Sequence, residues 1–298
     1  MHHHLLSSLV RPNLLQRIWK KIRSLFILDQ WIILIAPSTG YKFLSWSDFK
    51  PIIPPFDRFW ADPFVWMHDD RYYIFIEEVL YSTYRGRIVC LALDKDMNIL
   101  SNQVVLERPY HLSYPFLFKH EGQLYMVPET KENNGVELYR CTHFPDQWEF
   151  VKTLIDNVRA RDATLLEASG KWWLFTNIQE TGGLSWDNLH LYYTDRPISG
   201  QWTPHPHNPI VKDIHSARPA GRIFSYDNTL IRPSQDCSVR YGYAINFNRI
   251  ATLTETDYVE TTERAFKPPD KGRFLATHTF NEMAGLTAID AIHRWHKY

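Results

Sequence analysis

Acidic side chains recur at corresponding places in a repeated sequence pattern. The strongest catalytic candidates are Asp62, Glu77, Glu129 and Asp162. A pair of carboxylates can divide acid–base work, because one accepts a proton from an attacking hydroxyl while the other donates a proton to a leaving oxygen. Further carboxylates around the same opening can hold sugar hydroxyls. The residue types therefore predict chemistry at a glycosidic bond.

These acids stand at the ends of predicted β-hairpins. Each hairpin has an apolar run, a polar turn and a second apolar run, and the copies recur about every 50 residues, close to the length of a four-stranded propeller blade. Shorter strands between the hairpins supply the rest of each blade. The copies start at Asp62, Tyr114, Asp162 and Gly221, with a weaker fifth copy at His278. The fold class predicted is all-β, a five-bladed β-propeller preceded by a short N-terminal amphipathic helix.

The repeat also predicts which side chains meet. The first strand of a blade lines the central channel and the second returns antiparallel, so the start of one and the end of the other share a face. We call the channel opening on that face the mouth. Fifteen residues separate the two members of each pair, ending with His278 and His293. The predicted inner ring is Asp62, Tyr114, Asp162, Arg222 and His278, and the outer ring is Glu77, Glu129, Asn177 and Asp236.

Each candidate also has a purely structural interpretation. An Asp before a Pro, as in Asp62-Pro63, can cap a strand or form a turn. Arg218 and Arg222 could bind a diphosphate or carboxylate ligand as bidentate donors, or pair with the carboxylates of the ring. His111 could donate a hydrogen bond to a ligand and Tyr114 could stack on one, although a His before a strand is often structural.

Composition excludes several classes of partner. The 33 basic and 33 acidic side chains balance, which argues against nucleic acid. No apolar run is long enough to cross a bilayer. Three cysteines without a CxxC pair argue against disulfides and zinc and favour a reducing compartment. No glycine-rich nucleotide loop is present and the histidines lack ligand spacing, so we expect neither cofactor nor metal.

The first 50 residues differ from the rest. Apolar residues between positions 14 and 26 recur at helical spacing, with Arg17, Lys20, Lys21 and Arg23 between them. Such a helix can lie on an anionic membrane surface or pack against the following domain. We expect residues 1–50 to form this helix and a lead-in strand, and residues 51–298 to form the propeller. The predicted location is cytoplasmic, with peripheral contact to the inner membrane face through residues 12–26.

Several strings then point to a known family. FWADPF, YHLSYPF, LYMVPET, GKWWLF and ARPAGRIF, in this order, resemble the propeller region of plant glucosamine inositolphosphorylceramide transferases and their bacterial relatives. That region in turn resembles the five-bladed glycoside hydrolases of the arabinanase and xylosidase group. The resemblance extends from about residue 59 to about residue 259. It implies transfer of a sugar from an activated donor to a glycolipid or glycan acceptor.

The resemblance also implies roles for single residues. The family's acids correspond to Asp62, Glu77, Glu129, Asp162 and Asp236. By analogy with the hydrolases, Asp62 is the general base and Asp162 a positioning acid, with the proton donor open between Glu77 and Glu129. Between Arg218 and Arg222 this chain has Pro219-Ala220 where the family has Asn-Gly. The alternatives to a glycosyltransferase are a glycoside hydrolase of the same fold and a noncatalytic carbohydrate-binding propeller.

Overall fold

The computed structural model describes residues 26–179 and 186–296. Within these residues the strands form five antiparallel sheets, which confirms the five-bladed β-propeller. Apart from the single helical residue Phe26, helical structure in the described ranges is limited to three short 3₁₀ helices, Tyr41–Phe43, Trp46–Asp48 and Lys131–Asn133. The predicted amphipathic helix lies outside the described residues except for its last position, Phe26. No described helix is long and apolar enough to cross a membrane.

The first three blades follow one another along the chain, and the strands are numbered in chain order. The two strands nearest the N-terminus, β1 (Ile27–Pro37) and β2 (Lys50–Ile52), belong to the fifth blade. The first blade is β3 (Arg58–His68), β4 (Arg71–Leu80), β5 (Gly86–Leu93) and β6 (Ile99–Leu106). The second is β7 (Ser113–His120), β8 (Gln123–Glu129), β9 (Gly135–His143) and β10 (Gln147–Asp156). The third is β11 (Ala160–Ala168), β12 (Lys171–Ile178), β13 (Asn188–Thr194), β14 (Thr203–Pro204) and β15 (Val211–Lys212).

The fourth blade is β16 (Phe224–Tyr226), β17 (Thr229–Asp236), β18 (Ala244–Leu253) and β19 (Tyr258–Phe266).

The fifth blade joins the two ends of the chain. The fifth contains β20 (Phe274–Ala276), β21 (Phe280–Met283) and β22 (Leu286–His296). β1 pairs along its whole length with β22, and β2 pairs with β1. The described part of residues 1–50 is therefore built into the propeller sheet.

The first hairpin of every blade turns in the same way. Two residues connect the strands, and both have positive φ, which is the type I′ turn that matches strand twist. Polar or glycine residues that tolerate this conformation fill most of the positions. The turns are Asp69-Asp70, Glu121-Gly122, Ser169-Gly170, Asp227-Asn228 and Ala284-Gly285.

The core fills the spaces between neighbouring blades. Alternate side chains of a strand point to opposite faces of its sheet, so each apolar face meets the next blade. Phe64 and Phe116 pack between the first and second blades, and Phe247 and Phe280 between the fourth and fifth. This packing fixes the inner strands around one axis and brings their first residues to one opening.

Candidate functional site

A repeated backbone feature positions the inner ring of the mouth. Asp62, Tyr114 and Asp162 all have φ near 50° and lie at β-bulges where the register between the first two strands shifts. Gly221 holds the fourth position with a φ of 127°, and a Cβ there would lie 1.9 Å from the Phe280 carbonyl oxygen. Left-handed residues and bulges redirect side chains and are frequent at functional sites. Asp62, Tyr114 and Asp162 are thus structurally equivalent, whereas Gly221 differs from them in backbone conformation.

Asp62 belongs to a buried network that joins the first and fifth blades. Its Oδ1 accepts a hydrogen bond from Thr279 Oγ1 at 2.8 Å and lies 3.2 Å from His278 Nε2. Its Oδ2 accepts the Tyr114 backbone N–H. Burial alone would raise the pKa of Asp62, but the hydrogen bonds and charge of His278 outweigh burial and lower it. Asp62 is therefore an ionised carboxylate at neutral pH.

Asp162 and Glu129 meet at a buried arginine. Arg218 Nε donates to Asp162 Oδ2, and its Nη2 lies 3.9 Å from Glu129 Oε2. Gln235 Nε2 also donates to Asp162 Oδ2, at 3.1 Å. Burial raises the pKa of Asp162 above its usual range, and the charge of Arg218 limits the rise. Glu129 Oε2 is buried and has no hydrogen-bond partner in the described part of the chain, so Arg218 is the charge that compensates it.

Glu77 is held by His111. The His111 Nδ1 accepts the Gly86 backbone N–H at 3.0 Å, which leaves the proton of the neutral ring on Nε2. That nitrogen lies 2.8 Å from Glu77 Oε1. Burial raises the pKa of Glu77, and the nearby negative charge of Asp62 adds to the increase. Glu77 is thus, with Asp162, one of two mouth carboxyls whose pKa is raised toward that of a proton donor.

Other predicted ligand contacts have structural partners. Tyr114 is fully buried, and its hydroxyl bonds to Thr164 Oγ1 and accepts the Gly221 N–H, both at 2.7 Å. Its ring is therefore not available for stacking on a ligand. Asn177 is also fully buried and donates from Nδ2 to the Asn188 carbonyl, while its Oδ1 has no partner among the described residues.

The two arginines do not act together at the mouth. Arg218 pairs with ring carboxylates, which is the alternative interpretation raised by the sequence. Arg222 donates to the Leu117 carbonyl oxygen at 2.7 Å and lies over the Phe116 ring. Burial lowers the pKa of Arg222 to about 10. Because Leu117 and Phe116 lie further along the inner strand than Tyr114, the guanidinium of Arg222 is in the channel below the mouth.

Asp236 positions a loop. Its Oδ1 accepts the Ser238 N–H at 2.9 Å and lies 3.2 Å from His215 Nδ1. The fifteen-residue spacing does not place it opposite Gly221, because Pro219 already pairs with Ser234. The same spacing is wrong for His293, which lies opposite Phe274.

Sequence reasoning missed three residues of this site. Asp290 is fully buried and accepts the backbone N–H groups of Asp62, His278 and Thr279. Gln235 bonds to Asp162, and Tyr241 lies with its ring over Arg218. Asp290 does not lie fifteen residues from a repeat start, and Gln235 and Tyr241 do not recur at corresponding positions of the other blades. The aromatic run around Tyr241 was the one available hint.

A metal ion would have one candidate place among the described residues. Ligand atoms of Asp62, His278 and Asp290 lie within 4.8 Å of one another. In the structure the imidazole of His278 lies between the two carboxylates and supplies their positive charge. A cation here would therefore have to compete with an ion pair already formed, and no step below is built on a metal.

The arrangement combines an ionised carboxylate, a carboxyl with a raised pKa and a third carboxylate whose Oε2 has no hydrogen-bond partner among the described residues. Their relative exposures are only 5% for Asp62, 7% for Glu77 and 6% for Glu129, so these groups are largely shielded from water. Shielded charges interact strongly with a bound polar substrate. The site can bind hydroxyls and move a proton.

Solved structures with this fold include glycoside hydrolases. A family 117 glycoside hydrolase, Zg3597 from Zobellia galactanivorans, aligns over 89% of this chain and 90% of its own, with a TM-score of 0.56 and 10% identity. CoXyl43, a β-xylosidase/α-arabinofuranosidase from a compost metagenome, aligns over 80% and 90%, with a TM-score of 0.54 and 12% identity. These similarities support the fold.

Sequence relatives are transferases. Glucosamine inositolphosphorylceramide transferase 1 of Oryza sativa subsp. japonica is 37% identical over 207 residues, which is 68% of this chain and 28% of the rice protein. The Arabidopsis thaliana protein of the same name is 34% identical and is covered over 27% of its length. The chain thus spans about a quarter of the length of these relatives. The family model "Glucosamine inositolphosphorylceramide transferase 1, N-terminal" matches residues 54–280, and the chain therefore belongs to this family.

Proposed function

We propose that this chain transfers a sugar from a nucleotide- or lipid-phosphate donor to a glycolipid or polysaccharide acceptor at the mouth. The observation that carries the proposal is the pair Asp62 and Glu77, whose pKa values shift in opposite directions within one group of charges. Such pairs let one site keep a base ionised and an acid protonated at the same pH. The relatives' name supports transfer, since it gives glucosamine as the group and inositolphosphorylceramide as the acceptor.

In the proposed reaction the acceptor hydroxyl oxygen forms a bond to the anomeric carbon of the donor sugar. Asp62 accepts the hydroxyl proton, and the bond from the anomeric carbon to the donor phosphate breaks with its electron pair on the leaving oxygen. Arg218 supplies the positive charge closest to this reaction, with Asp162 holding it in place. Glu129 holds sugar hydroxyls through Oε2, which has no hydrogen-bond partner among the described residues. Glu77 donates a proton where the leaving oxygen needs one.

The remaining mouth residues act by positioning in this proposal. His111 orients Glu77, and His278 keeps Asp62 ionised. Tyr114, Asn177 and Asp236 fix the backbone around the acids. Since Arg222 points into the channel, the proposal gives it no contact with the donor phosphate.

The test is mass-spectrometric detection of transfer from a panel of UDP-sugars to lipid-linked acceptors, with free sugar release measured in parallel. Replacing Asp62 by Asn should reduce transfer by about a hundredfold or more, because the proton acceptor is lost. The matched control is Asp96→Asn, which changes an exposed carboxyl at a hairpin tip. Release of free sugar without an acceptor product would favour a hydrolase, and full transfer by Asp62→Asn would contradict the assigned role.

We also propose that the protein is cytoplasmic and contacts the inner membrane face through residues 12–26, whose basic residues favour anionic lipid. Cosedimentation with phosphatidylglycerol vesicles tests the contact, with phosphatidylcholine vesicles for comparison. Replacing Lys20, Lys21 and Arg23 by Glu should abolish binding to the anionic vesicles. Equal binding by the parent and this variant would contradict the proposal.

A further inference from the structure

Tyr241 is an exposed aromatic residue in contact with both charged groups of the mouth. The residue is 38% exposed. The guanidinium of Arg218 lies 4.8 Å from its ring centroid, and the ring centroid of His278 lies at 5.3 Å with the two planes at 61°. Arg218 is bonded to Asp162, and His278 lies against Asp62. Tyr241 therefore bridges the two halves of the acidic site.

The loop that carries Tyr241 is held in one conformation. Asp236 binds the Ser238 N–H at its start, and the Gly242 N–H points at Cys237 Sγ at 3.5 Å. Gly242 has a φ of 60°, and a Cβ added there would lie 2.6 Å from His278 Cβ. The loop can therefore approach His278 this closely only with glycine next to Tyr241. A rigid aromatic side chain contributes binding area with little loss of conformational entropy.

The surroundings of this ring select the ligand. Two cations already contact Tyr241, so a cationic ligand would be repelled from it. Glu129 Oε2, which lies 3.9 Å from Arg218 and is buried without a hydrogen-bond partner among the described residues, suits a ligand that donates hydroxyl hydrogen bonds. A sugar ring has an apolar face of C–H groups and a rim of hydroxyls, which fits an aromatic face beside carboxylates. A planar anion would lack the hydroxyl donors that this acceptor needs.

We propose, on the basis of the proposed function, that the exposed face of Tyr241 is the surface on which the sugar ring stacks in the mouth. Tyr241 fixes the height of the sugar above Arg218 and His278, and Glu129 fixes its rotation through a hydroxyl. Tyr241 is thus a substrate-binding residue that sets which sugars enter. The acids below it do the proton transfer.

The experiment is saturation-transfer difference NMR with free N-acetylglucosamine, galactose, mannose and glucuronic acid, on the parent and on Tyr241→Leu and Tyr241→Phe. For the sugar that binds, the dissociation constant should rise about fivefold or more in Tyr241→Leu and stay within about twofold in Tyr241→Phe. The largest signals should come from the protons of one sugar face. Tyr84→Leu, which removes another exposed tyrosine, is the matched control and should bind like the parent.

The outcomes separate this proposal from the transfer reaction. If Tyr241→Leu binds the sugar as tightly as the parent, or if none of the four sugars gives a signal with the parent, the stacking proposal is overturned. Thermal unfolding shows whether Tyr241→Leu is folded. If it is unfolded, Tyr241→Phe provides the test, because it keeps the aromatic ring and should bind the sugar like the parent. Sugar binding that depends on Tyr241 in a chain without transfer activity would overturn the proposed reaction and leave the stacking surface intact.

Discussion

The Nδ1 atom of His278 lies 2.8 Å from Oδ2 of the fully buried Asp290. The other ring nitrogen faces Asp62 at 3.2 Å. Burial alone would lower the pKa of His278, but the charges of the two carboxylates raise it to about 10. The imidazole is therefore a cation at neutral pH that joins the first and fifth blades.

This relationship predicts a pH dependence of stability. A histidine whose pKa is raised on folding stabilises the protein fully below its unfolded pKa, and this contribution is lost as pH rises through the folded value. The parent should therefore lose its stability advantage over His278→Gln between about pH 6.5 and pH 10, by about 1.4 kcal/mol per pH unit. Urea unfolding at several pH values measures this. His143→Gln, which changes an exposed histidine, should follow the parent at every pH.

Removing Arg218 should destabilise the fold. Arg218→Met leaves the buried Asp162 carboxylate without its cation, and breaking such a pair costs about 3–5 kcal/mol of unfolding free energy. Adding Asp162→Asn should recover part of that loss, because the uncompensated charge is removed. The exposed pair Arg140–Glu149 gives the control, since Arg140→Met should cost less than about 1 kcal/mol. Equal losses for the two arginines in chemical denaturation would contradict this view of Arg218.

The glycine beside Tyr241 should tolerate no side chain. Gly242→Ala places a Cβ 2.6 Å from His278 Cβ at a left-handed φ, so we expect a loss of more than about 2 kcal/mol. At Gly122, with a φ of 79°, an added Cβ meets no atom within 4 Å. Gly122→Ala should therefore cost about 1 kcal/mol from backbone strain alone. Thermal unfolding of both variants compares the two losses of stability. A smaller loss in Gly242→Ala than in Gly122→Ala would contradict the loop geometry.

The titration of Glu77 should depend on His111. The Nε2–H of His111 stabilises the ionised form of Glu77, so His111→Leu should raise the pKa of this carboxyl further above its usual range. Carbon-13 NMR of the side-chain carboxyl follows the change. His143→Leu, far from the mouth in sequence and exposed, should leave the titration unaltered. A lower pKa in His111→Leu would show that the ring does not act as the donor.

Local patterns predicted the blades and much of the mouth. Turn positions such as Asp69-Asp70 and Ser169-Gly170 are determined by neighbouring residues, so alternating apolar runs around them identify each hairpin. The spacing from Asp62 to Glu77 follows from the same hairpin length. It fails in the fifth blade, where the turn at Ala284-Gly285 pairs Phe280 with Ile289. Asp290, rather than His293, then lies beside His278.

Contacts between distant segments could not be predicted in this way. The pairing of β1 with β22 joins residues from opposite ends of the chain, and no local pattern specifies it. The direction in which a side chain points could not be predicted from the sequence either. Tyr114 lies on an inner strand as expected, but packing buries it completely, and Arg222 lies two residues before an inner strand with its guanidinium in the channel.

The start of β1, in the fifth blade, lies beside the start of the first blade. Gln30, near the start of β1, donates to the carbonyl oxygens of Pro55 and Arg58, and the Trp31 ring lies 4.3 Å from His278. The chain thus enters the propeller on the same side as the acidic opening. The membrane contact proposed for residues 12–26 lies directly ahead of β1, so in that proposal the acidic opening faces the bilayer, where a glycolipid acceptor diffuses laterally.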